Sequence, residues 1–353
     1  MVTSWSECQR DADTVRETVS SLLANVGSRD GEVSDTGFGP EWDALFEGGY
    51  LFVPSDGHDG GTLVEALAVV EEAGRHAVRG PVAENGILAG WLLDQSNLPV
   101  PVEPLTYAPA PLVRVDRGRL TGTVYKVPWA QDVDRIVLLL ELPDGPVVAS
   151  LDPHEATIVA GRNLAGERRD TVVLDGAAAL IHELPRPAAA EELHARAALT
   201  RAALMTGAAA RAVELTFQYT KDRVQFGRPI IRFQPVQAHL VQAAQYVRAA
   251  QVATRSAALA MTFSPDGSST EAAAAKIVSS HAAGLIAAAT HQATGAIGMT
   301  KEYELGHLTL RLWSWRDEYG SEAFWSRWLG ENVLAAGADA TWPLIAGQSP
   351  EPL

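Results

Sequence analysis

Cysteine is nearly absent, because the 353 residues include only Cys8. A single cysteine excludes an intrachain disulfide and a cysteine-based metal site. Cys8 lies on the apolar face of a predicted helix, where burial disfavours a reactive thiolate, so we interpret it as a packing residue. A chain without a disulfide suits a reducing compartment, and we expect a cytoplasmic protein.

Long apolar runs are missing as well. No stretch of 18 consecutive apolar residues occurs, which predicts no membrane insertion. Near the start, Glu7, Arg10 and Asp11 interrupt the apolar stretch that a secretory signal would need. We therefore expect a protein that is retained in the cell.

Positive charge is scarce, with 28 Lys and Arg against 43 Asp and Glu and a formal net charge of -15. This balance would repel a phosphate backbone, and the basic residues are scattered along the chain. We predict no nucleic-acid partner. One or two local arginines could still bind the phosphates of a cofactor.

Common cofactor and metal signatures are also absent. The chain has no G-x-G-x-x-G and no Walker sequence, so nicotinamide and nucleoside-triphosphate chemistry lack their usual motifs. The candidate ligands His281, His291 and His307 do not have the i, i+4 spacing of a zinc helix. We predict no metal site.

Three patterns follow one another along the chain. Residues 1–97 have helical periodicity, clearest over 4–26, where Ser4 and Glu7 form a predicted capping box. Residues 98–187 contain short apolar runs between turn residues, with a hairpin signal at 143–145. Residues 188–353 return to helical periodicity. We predict a helical domain, a small β domain and a helical bundle.

The last region contains four predicted long helices. They cover about 190–222, 234–262, 269–294 and 303–335. Alanine dominates the first three, which permits close helix contact and favours a four-helix bundle. The fourth carries Trp313, Trp315, Trp325 and Trp328, a cluster typical of a core or a subunit interface.

The stretch YTKDRVQFGRPIIRFQPVQ, residues 219–237, interrupts these helices with unusual chemistry. Arg223 offers a planar, permanently charged group that suits phosphate oxygens. Phe226 offers a flat apolar face, and Gly227 permits a close approach. Together they favour one corner of a nucleotide site. A structural helix corner with a salt-bridged arginine and a buried phenylalanine is the alternative.

This stretch resembles the R-x-x-F-G segment of the acyl-CoA dehydrogenase family. A second block, HQATGAIGMTKEY at 291–303, resembles the family's Q-x-x-G-G-x-G-[FY]-x-x-E-Y. Gln292, Gly295, Gly298, Glu302 and Tyr303 match, and Ala296 replaces the second glycine. The blocks occur in the family's order. The resemblance implies a mainly α fold with a helical N-terminal domain, a β-barrel-like middle domain and a C-terminal four-helix bundle.

The resemblance also implies FAD bound across a subunit boundary. By position, Arg223 would contact the pyrophosphate, and Phe226 with Gly227 would pack on the cofactor. The residues expected on the adenosine side are Gln292, Gly295 and Gly298, and Gln234 and Gln237, just past the loop, are candidate hydrogen-bond donors. Two alternatives stay open. Gln234 and Gln237 also fit exposed helix-start amides, and Gly295 and Gly298 fit tight helix termination.

The flavin side of the expected site lacks most of the residues that the family uses there. The family's T-x-P-x-x-G-S-D-like segment has no counterpart, and Thr106 and Ser96 are the nearest hydroxyls. Trp129 could stack on a flavin, although a β-domain core position fits it better.

The family's catalytic glutamate is missing from both of its positions. Tyr319 occupies one of them, and Ala197 or Ala198 the other. Glu318 falls one residue early, about 100° around a helix, so it would need a local shift to act as the base. Glu318 and Glu322 also fit solvated residues at a helix start.

The resemblance therefore implies a subunit of an FAD-dependent acyl-CoA dehydrogenase, which converts an acyl-CoA to its trans-2-enoyl-CoA. We expect a non-catalytic partner in an α2β2 enzyme, like paired subunits of actinobacterial steroid degradation, with an electron-transferring flavoprotein as acceptor. A homo-oligomeric enzyme that uses a displaced Glu318 is one alternative. A non-enzymatic scaffold of the same fold is the other.

Overall fold

The computed structural model describes residues 4–26, 37–52, 61–264, 268–300, 302–337, 339 and 341–342. The helices are α1 (Trp5–Val26), α2 (Pro40–Glu47), α3 (Leu63–Arg75), α4 (Trp91–Gln95), α5 (Ala188–Asp222), α6 (Gln234–Phe263), α7 (Ser269–Thr294), α8 (Leu305–Trp315) and α9 (Glu322–Ala336). The strands are β1 (Leu105–Pro109), β2 (Arg114–Asp116), β3 (Arg119–Pro128), β4 (Arg135–Leu142), β5 (Gly145–Leu151), β6 (Thr157–Val159), β7 (Arg169–Ala178), β8 (Leu180–Glu183), β9 (Val224–Gln225) and β10 (Arg228–Pro229). The mainly α fold with a small β domain in the middle is confirmed.

The N-terminal helices pack on the bundle through an unusually close crossing of α3 and α5. A Cβ atom added to Gly207 would lie 1.8 Å from the Glu71 carbonyl oxygen, and one added to Gly74 would lie 2.2 Å from that of Leu204. Real Cβ atoms do not approach backbone so closely, so both positions require glycine. This crossing fixes α5, which carries a central arginine of the candidate site.

A π-helical segment, Glu84–Gly90, lies between α3 and α4 and leads directly into α4. Asn85 in this segment is fully buried. Its side chain donates to the Leu51 carbonyl oxygen at 3.0 Å and accepts from the Leu105 amide at 2.8 Å. π-helical turns are often found at functional sites. Here the turn directs the Glu84 side chain toward α5.

The β domain consists of two four-stranded sheets. Their strand orders are β1-β4-β5-β8 and β2-β3-β7-β6, and β1 pairs with β4 in parallel. Inward side chains such as Leu120, Leu138 and Val172 form the core of this domain. The predicted hairpin forms, because Leu142 pairs with Gly145 across Pro143 and Asp144.

The single fourth helix predicted over 303–335 is wrong, because two helices occupy this region. α8 ends at Trp315 and α9 begins at Glu322. Between them, Tyr319 and Gly320 adopt positive φ angles of 50° and 94°, which an α-helix does not permit. We call residues 316–321 the α8–α9 link. Trp315 and Trp325 on either side of it are buried.

One apolar stretch, Ser269–Met299, has the length and composition of a membrane-spanning helix. Its most apolar 18-residue window is 61% buried inside the fold, as a core helix would be.

Candidate functional site

A cleft of about 710 Å³ opens between the β domain, α5 and the α8–α9 link. Its walls include 107–109 of β1, 125–126 of β3, the loop 161–164, Trp313 of α8 and 317–320 of the link. Tyrosine, tryptophan, proline and leucine side chains make much of the wall apolar. Charged side chains gather at one side, where Glu318 meets two arginines.

The Glu318 carboxylate is bound by arginines from two domains. Arg169 of β7 donates through Nε to Oε1 at 2.8 Å and through Nη2 to Oε2 at 2.9 Å. Arg201 of α5 donates through Nε to Oε2 at 2.8 Å. Asn163 adds an amide hydrogen bond to Oε1 at 3.1 Å. Both carboxylate oxygens therefore accept charged hydrogen bonds.

Arg201 also contacts the N-terminal domain. Its Nη2 donates to Oε1 of Glu84, and both side chains are almost completely buried. The Tyr319 hydroxyl donates to the same Glu84 oxygen at 3.2 Å. The Arg201 guanidinium lies 4.7 Å from the centre of the Tyr319 ring, and the Tyr107 ring stacks 6.1 Å from that ring. Tyr319 is thus enclosed by aromatic and cationic groups.

A second buried carboxylate extends the network into α8. Glu167 accepts from Arg169 at 3.2 Å, from Trp315 Nε1 at 2.8 Å and from Asn163 at 3.0 Å. Arg311 Nε lies 3.2 Å from its other oxygen. The ion pairs consequently join the N-terminal helices, the β domain and the bundle at the base of the cleft.

These contacts decide what Glu318 can do chemically. Burial alone would raise its pKa, but the charges and hydrogen bonds of Arg169 and Arg201 outweigh burial and lower the pKa to about 2. Such a carboxylate is a weak base, and both of its oxygens are already occupied. The interpretation of Glu318 as a solvated helix-start residue is wrong, since only 17% of its side chain is exposed.

Glu322 has a different environment. It lies in the first turn of α9 and is 3.4 Å from Nδ1 of His281. It does not line the cleft, so its position at the helix start agrees with the solvated interpretation. The two acidic residues that the sequence grouped together therefore belong to different surroundings.

The hydroxyls expected near a flavin are used internally. Thr106 donates to the Pro128 carbonyl oxygen at 2.6 Å, and Ser96 donates to that of Leu92 at 2.7 Å. Both residues are buried. Trp129 lies in the core of the β domain and packs edge-on against Phe38. None of these three side chains reaches the cleft.

The R-x-x-F-G stretch folds into a two-residue hairpin at the end of α5. Gln225 of β9 pairs with Arg228 of β10, and Phe226 and Gly227 between them have φ angles of 51° and 75°. Two positive φ angles define a type I′ turn, which suits glycine at its second position. The Phe226 ring is 91% exposed, so the alternative of a buried phenylalanine is wrong.

Arg223 precedes this hairpin as the C-cap of α5 and is exposed. No ion pair joins its side chain to another part of the described chain. The 3.0 Å hydrogen bond between the Tyr303 hydroxyl and the Leu215 carbonyl oxygen brings the segment after α7 to this same end of the bundle. Gln234 at the start of α6 is also exposed there.

In the second block, the matching residues have different surroundings. Gln292 is exposed, and Gly295 ends α7 with a φ of 66° and open space around it. Gly298 is buried, and a Cβ atom there would lie 2.3 Å from Thr294 Oγ1. Internal packing therefore explains Gly298, whereas Gln292 and Gly295 face outward.

The hairpin and the cleft lie far apart along one helix. Arg201 and Arg223 are 22 positions apart in sequence on α5. At 1.5 Å per residue they are separated by about 33 Å. The hairpin therefore cannot bind a ligand at the point where this chain's own Glu318 and Tyr319 line the cleft.

Comparisons with known proteins decide the family. A profile described as "Acyl-CoA dehydrogenase, C-terminal domain" matches residues 188–321. A relative named "Acyl-CoA dehydrogenase IpdE2", from Mycobacterium tuberculosis (strain ATCC 25618 / H37Rv), is 30% identical over 311 residues, which cover 82% of this chain and 87% of the relative. The chain belongs to the acyl-CoA dehydrogenase family.

Other matches agree with this assignment. A protein of the same name from Mycolicibacterium smegmatis (strain ATCC 700084 / mc(2)155) is 29% identical over 304 residues, covering 84% of this chain and 90% of the relative. Among solved structures, the ChsE4-ChsE5 complex from Mycobacterium tuberculosis superposes with a TM-score of 0.80 at 20% identity, covering 96% of this chain and 99% of the matched chain. The family resemblance and the fold expected from it are confirmed.

Acyl-CoA dehydrogenases are oxidoreductases that act on CH–CH groups and generally bind FAD. In this chain the hairpin and the cleft differ in how well they suit that cofactor. At the hairpin end, exposed Arg223 and the glycine turn suit a phosphate group that approaches from outside. The hydroxyls of Thr106 and Ser96, which were expected near the flavin, donate to backbone oxygens and do not reach the cleft. The fully buried Tyr107 hydroxyl in the wall has no hydrogen-bond partner within the described residues.

The sequence did not single out Arg169, Arg201 or Glu84. A signal was nevertheless present, because Arg201 is the one charged residue in the mostly apolar stretch 197–210 of α5. Charged residues are almost never fully buried unless they are paired, so such an arginine requires a buried acid. In the described part of the chain, no cluster of three or more His, Cys, Asp or Glu forms a potential metal site.

Proposed function

We propose that this chain is the non-catalytic partner subunit of a heteromeric, FAD-dependent acyl-CoA dehydrogenase. It supplies its hairpin to the adenosine side of FAD held mainly by another subunit, and it supplies no catalytic base. The observation that carries this proposal is the state of Glu318, the nearest carboxylate to the expected base position. Its two oxygens are bound by Arg169 and Arg201.

The reaction of the family requires a carboxylate that is free to accept a proton. The acyl thioester loses a proton from Cα, and FAD, when bound, accepts the hydride from Cβ. A general base works best when its pKa lies near the working pH and its oxygen can reach the proton. Glu318 fails the first condition, because its pKa is lowered to about 2, and both of its oxygens are bound by arginines. Tyr319 has a pKa that burial raises well above the ordinary value. Within the described residues that line the cleft, the remaining carboxylate is Asp317, which is exposed.

The hairpin supports the second half of the proposal. Arg223, Phe226 and Gln292 are exposed at one end of the bundle, and their own cleft is out of reach. A phosphate, an aromatic ring and an adenosine group from a neighbouring subunit would each find a matching surface there: a guanidinium for the phosphate, an apolar face for the ring and an amide for the base. Gly227 leaves room for that approach.

The assembly is an α2β2 complex with a homologous subunit, in line with the paired chains of the ChsE4-ChsE5 structure. Its substrate is an acyl-CoA, its product the trans-2-enoyl-CoA, and its acceptor an electron-transferring flavoprotein. Its compartment is the cytoplasm. The first experiment addresses the assembly.

Flavin content and native mass are measured for the chain expressed alone and co-expressed with a homologous dehydrogenase subunit that contains the glutamate. We expect FAD only in the co-expressed complex, at fewer than one flavin per chain. A yellow homotetramer with full flavin would overturn the partner-subunit proposal and favour self-sufficiency. Absence of flavin from every complex would favour the scaffold.

A second experiment addresses the base directly. E318Q in this chain is expected to leave the turnover per flavin of the complex within about threefold, because the other subunit supplies the base. E322Q is the matched control, since it removes an acid that lies outside the cleft. A loss of about 100-fold or more with E318Q alone, the usual range for general base removal, would assign the base to this chain.

A further inference from the structure

A buried lysine from another helix holds the α8–α9 link. Lys276 of α7 is 0% exposed. Its Nζ donates to the carbonyl oxygens of Arg316 at 2.7 Å and Gly320 at 2.8 Å. Ser280 Oγ at 3.2 Å and the Trp315 carbonyl oxygen at 3.5 Å lie around the same nitrogen. Lys276 therefore binds the backbone at both ends of the link.

The end of α8 creates the need for such a group. The last carbonyl groups of a helix have no intrahelical partner, and they concentrate partial negative charge. An ammonium group has three donors and no acceptor, so it matches a set of oxygens. Burial, and then the charge of Arg201, lower the pKa of Lys276 to about 7, whereas the charges of Glu318 and Asp317 act to raise it. Burying this charge is tolerable because oxygens surround it.

The link has a backbone conformation that its surroundings must maintain. Tyr319 is in the left-handed region, which is sparsely populated by residues other than glycine and costs energy. Trp325 Nε1 donates to the Tyr319 carbonyl oxygen at 2.9 Å. Lys276 and Trp325 thus hold the link from the bundle side. On its other side, the side chains of Glu318 and Tyr319 line the cleft.

We infer that Lys276 is a positioning residue, whose ammonium group fixes the backbone of the α8–α9 link and so orients the Glu318 carboxylate and the Tyr319 ring at the cleft. The side chain does not line the cleft and acts through the link. This role is independent of the proposed function, because it follows from contacts within one chain.

Amide hydrogen exchange of the native protein and of K276M tests this role. Methionine has nearly the shape of lysine but neither charge nor donors. We expect exchange in the segment 316–325 to become at least tenfold faster, while helices α5 and α6 keep their native rates. S279A is the matched control: it removes a buried hydroxyl of the same helix that donates to the Ala275 and Lys276 carbonyl oxygens and not to the link, so it should change exchange in the link less than threefold.

K276R provides the rescue, since it retains the charge and several donors. We expect it to return exchange in 316–325 most of the way to the native rate. Native exchange in the K276M link, or equally faster exchange throughout the bundle, would overturn a positioning role. If K276M does not fold, amide exchange of the native protein and of K276R tests the positioning role. Fast exchange of the Asp317 and Glu318 amides in the native protein would exclude a positioning role for Lys276. Fast amide exchange throughout the link of a folded K276R would exclude it as well.

Discussion

The arginines at the middle and at the end of α5 differ in burial and in pairing. Near its middle, Arg201 is buried and shares two carboxylates, Glu84 and Glu318. At its end, Arg223 is exposed and no acid pairs with it in the described chain. A buried ion pair holds domains together and resists rearrangement, whereas an exposed, unpaired arginine stays available to an incoming anion. The comparison indicates that charge at the cleft end serves cohesion, and it is consistent with the binding role proposed for the hairpin end.

The largest expected effect on stability comes from breaking the buried network. R201M leaves the carboxylates of Glu84 and Glu318 without one of their partners, and we expect a loss of about 3–5 kcal/mol in the free energy of unfolding. Urea denaturation measures it. R211M is the control on the same helix, because Arg211 pairs with Glu304 where both side chains are partly exposed, and about 1 kcal/mol or less is expected. Equal losses for the two variants would remove the distinction between the two regions.

Acid is the next way to test the network. The pKa of Glu318 is lowered in the folded chain, so its contribution is fully present above the unfolded value of about 4.5 and is lost as the pH falls toward about 2. The shift corresponds to about 3 kcal/mol. We expect the native protein to lose more stability than E318Q between these pH values. Parallel curves of thermal midpoint against pH would show that Glu318 does not carry this dependence.

Glycine substitutions probe the link itself. In G320A the new Cβ atom would lie 2.4 Å from Trp325 Nε1 at a φ of 94°, so we expect a loss of about 1–3 kcal/mol. Gly330, within α9, has open space around it, and G330A should instead stabilise the helix by up to about 1 kcal/mol. Thermal unfolding of the two variants gives the comparison. If G320A unfolds at the native temperature, the backbone of the link can shift to accommodate the added Cβ atom.

The smallest effect on folding is expected at the hairpin. R223A removes an exposed side chain, so the free energy of unfolding should change by about 0.5 kcal/mol or less. Flavin retained by the co-expressed complex should nevertheless fall about tenfold or more. R232A is the control, another exposed arginine just beyond the hairpin. An unchanged flavin content of the R223A complex would support the alternative that the hairpin is only a structural helix corner.

The fold was largely predictable because its signals are local. Helical periodicity, the hairpin turn at 143–145 and the alanine-rich segments each depend on neighbouring residues. The break between α8 and α9 was missed although it has a local signal. Gly320 adopts a positive φ, and Ser321 caps α9 by accepting from the Phe324 amide. The contacts of Lys276 and Trp325 with the link are not visible in the sequence, because they form only in the folded chain.

The candidate site likewise contains one part that the sequence indicated and one part that it did not. The R-x-x-F-G residues occur consecutively, so the sequence indicated them as a unit. Glu318 stood beside Asp317 and Glu322 in an acidic stretch, and its actual environment comes from Arg169 and Arg201, which are more than 100 positions away in the chain. Sequence distance hides such partners, although a lone arginine within the mostly apolar stretch 197–210 was a usable sign.

The sequence alone determined the family, the order of helical and β regions, and the absence of a glutamate at the position of Tyr319. The tertiary structure decided which charges are buried and which remain available. A pKa or an ion pair depends on the distance between groups from different elements, and the packing of α5 against α3, β7 and the α8–α9 link sets that distance. The same packing leaves the hairpin about 33 Å from the cleft along α5 and directs it outward.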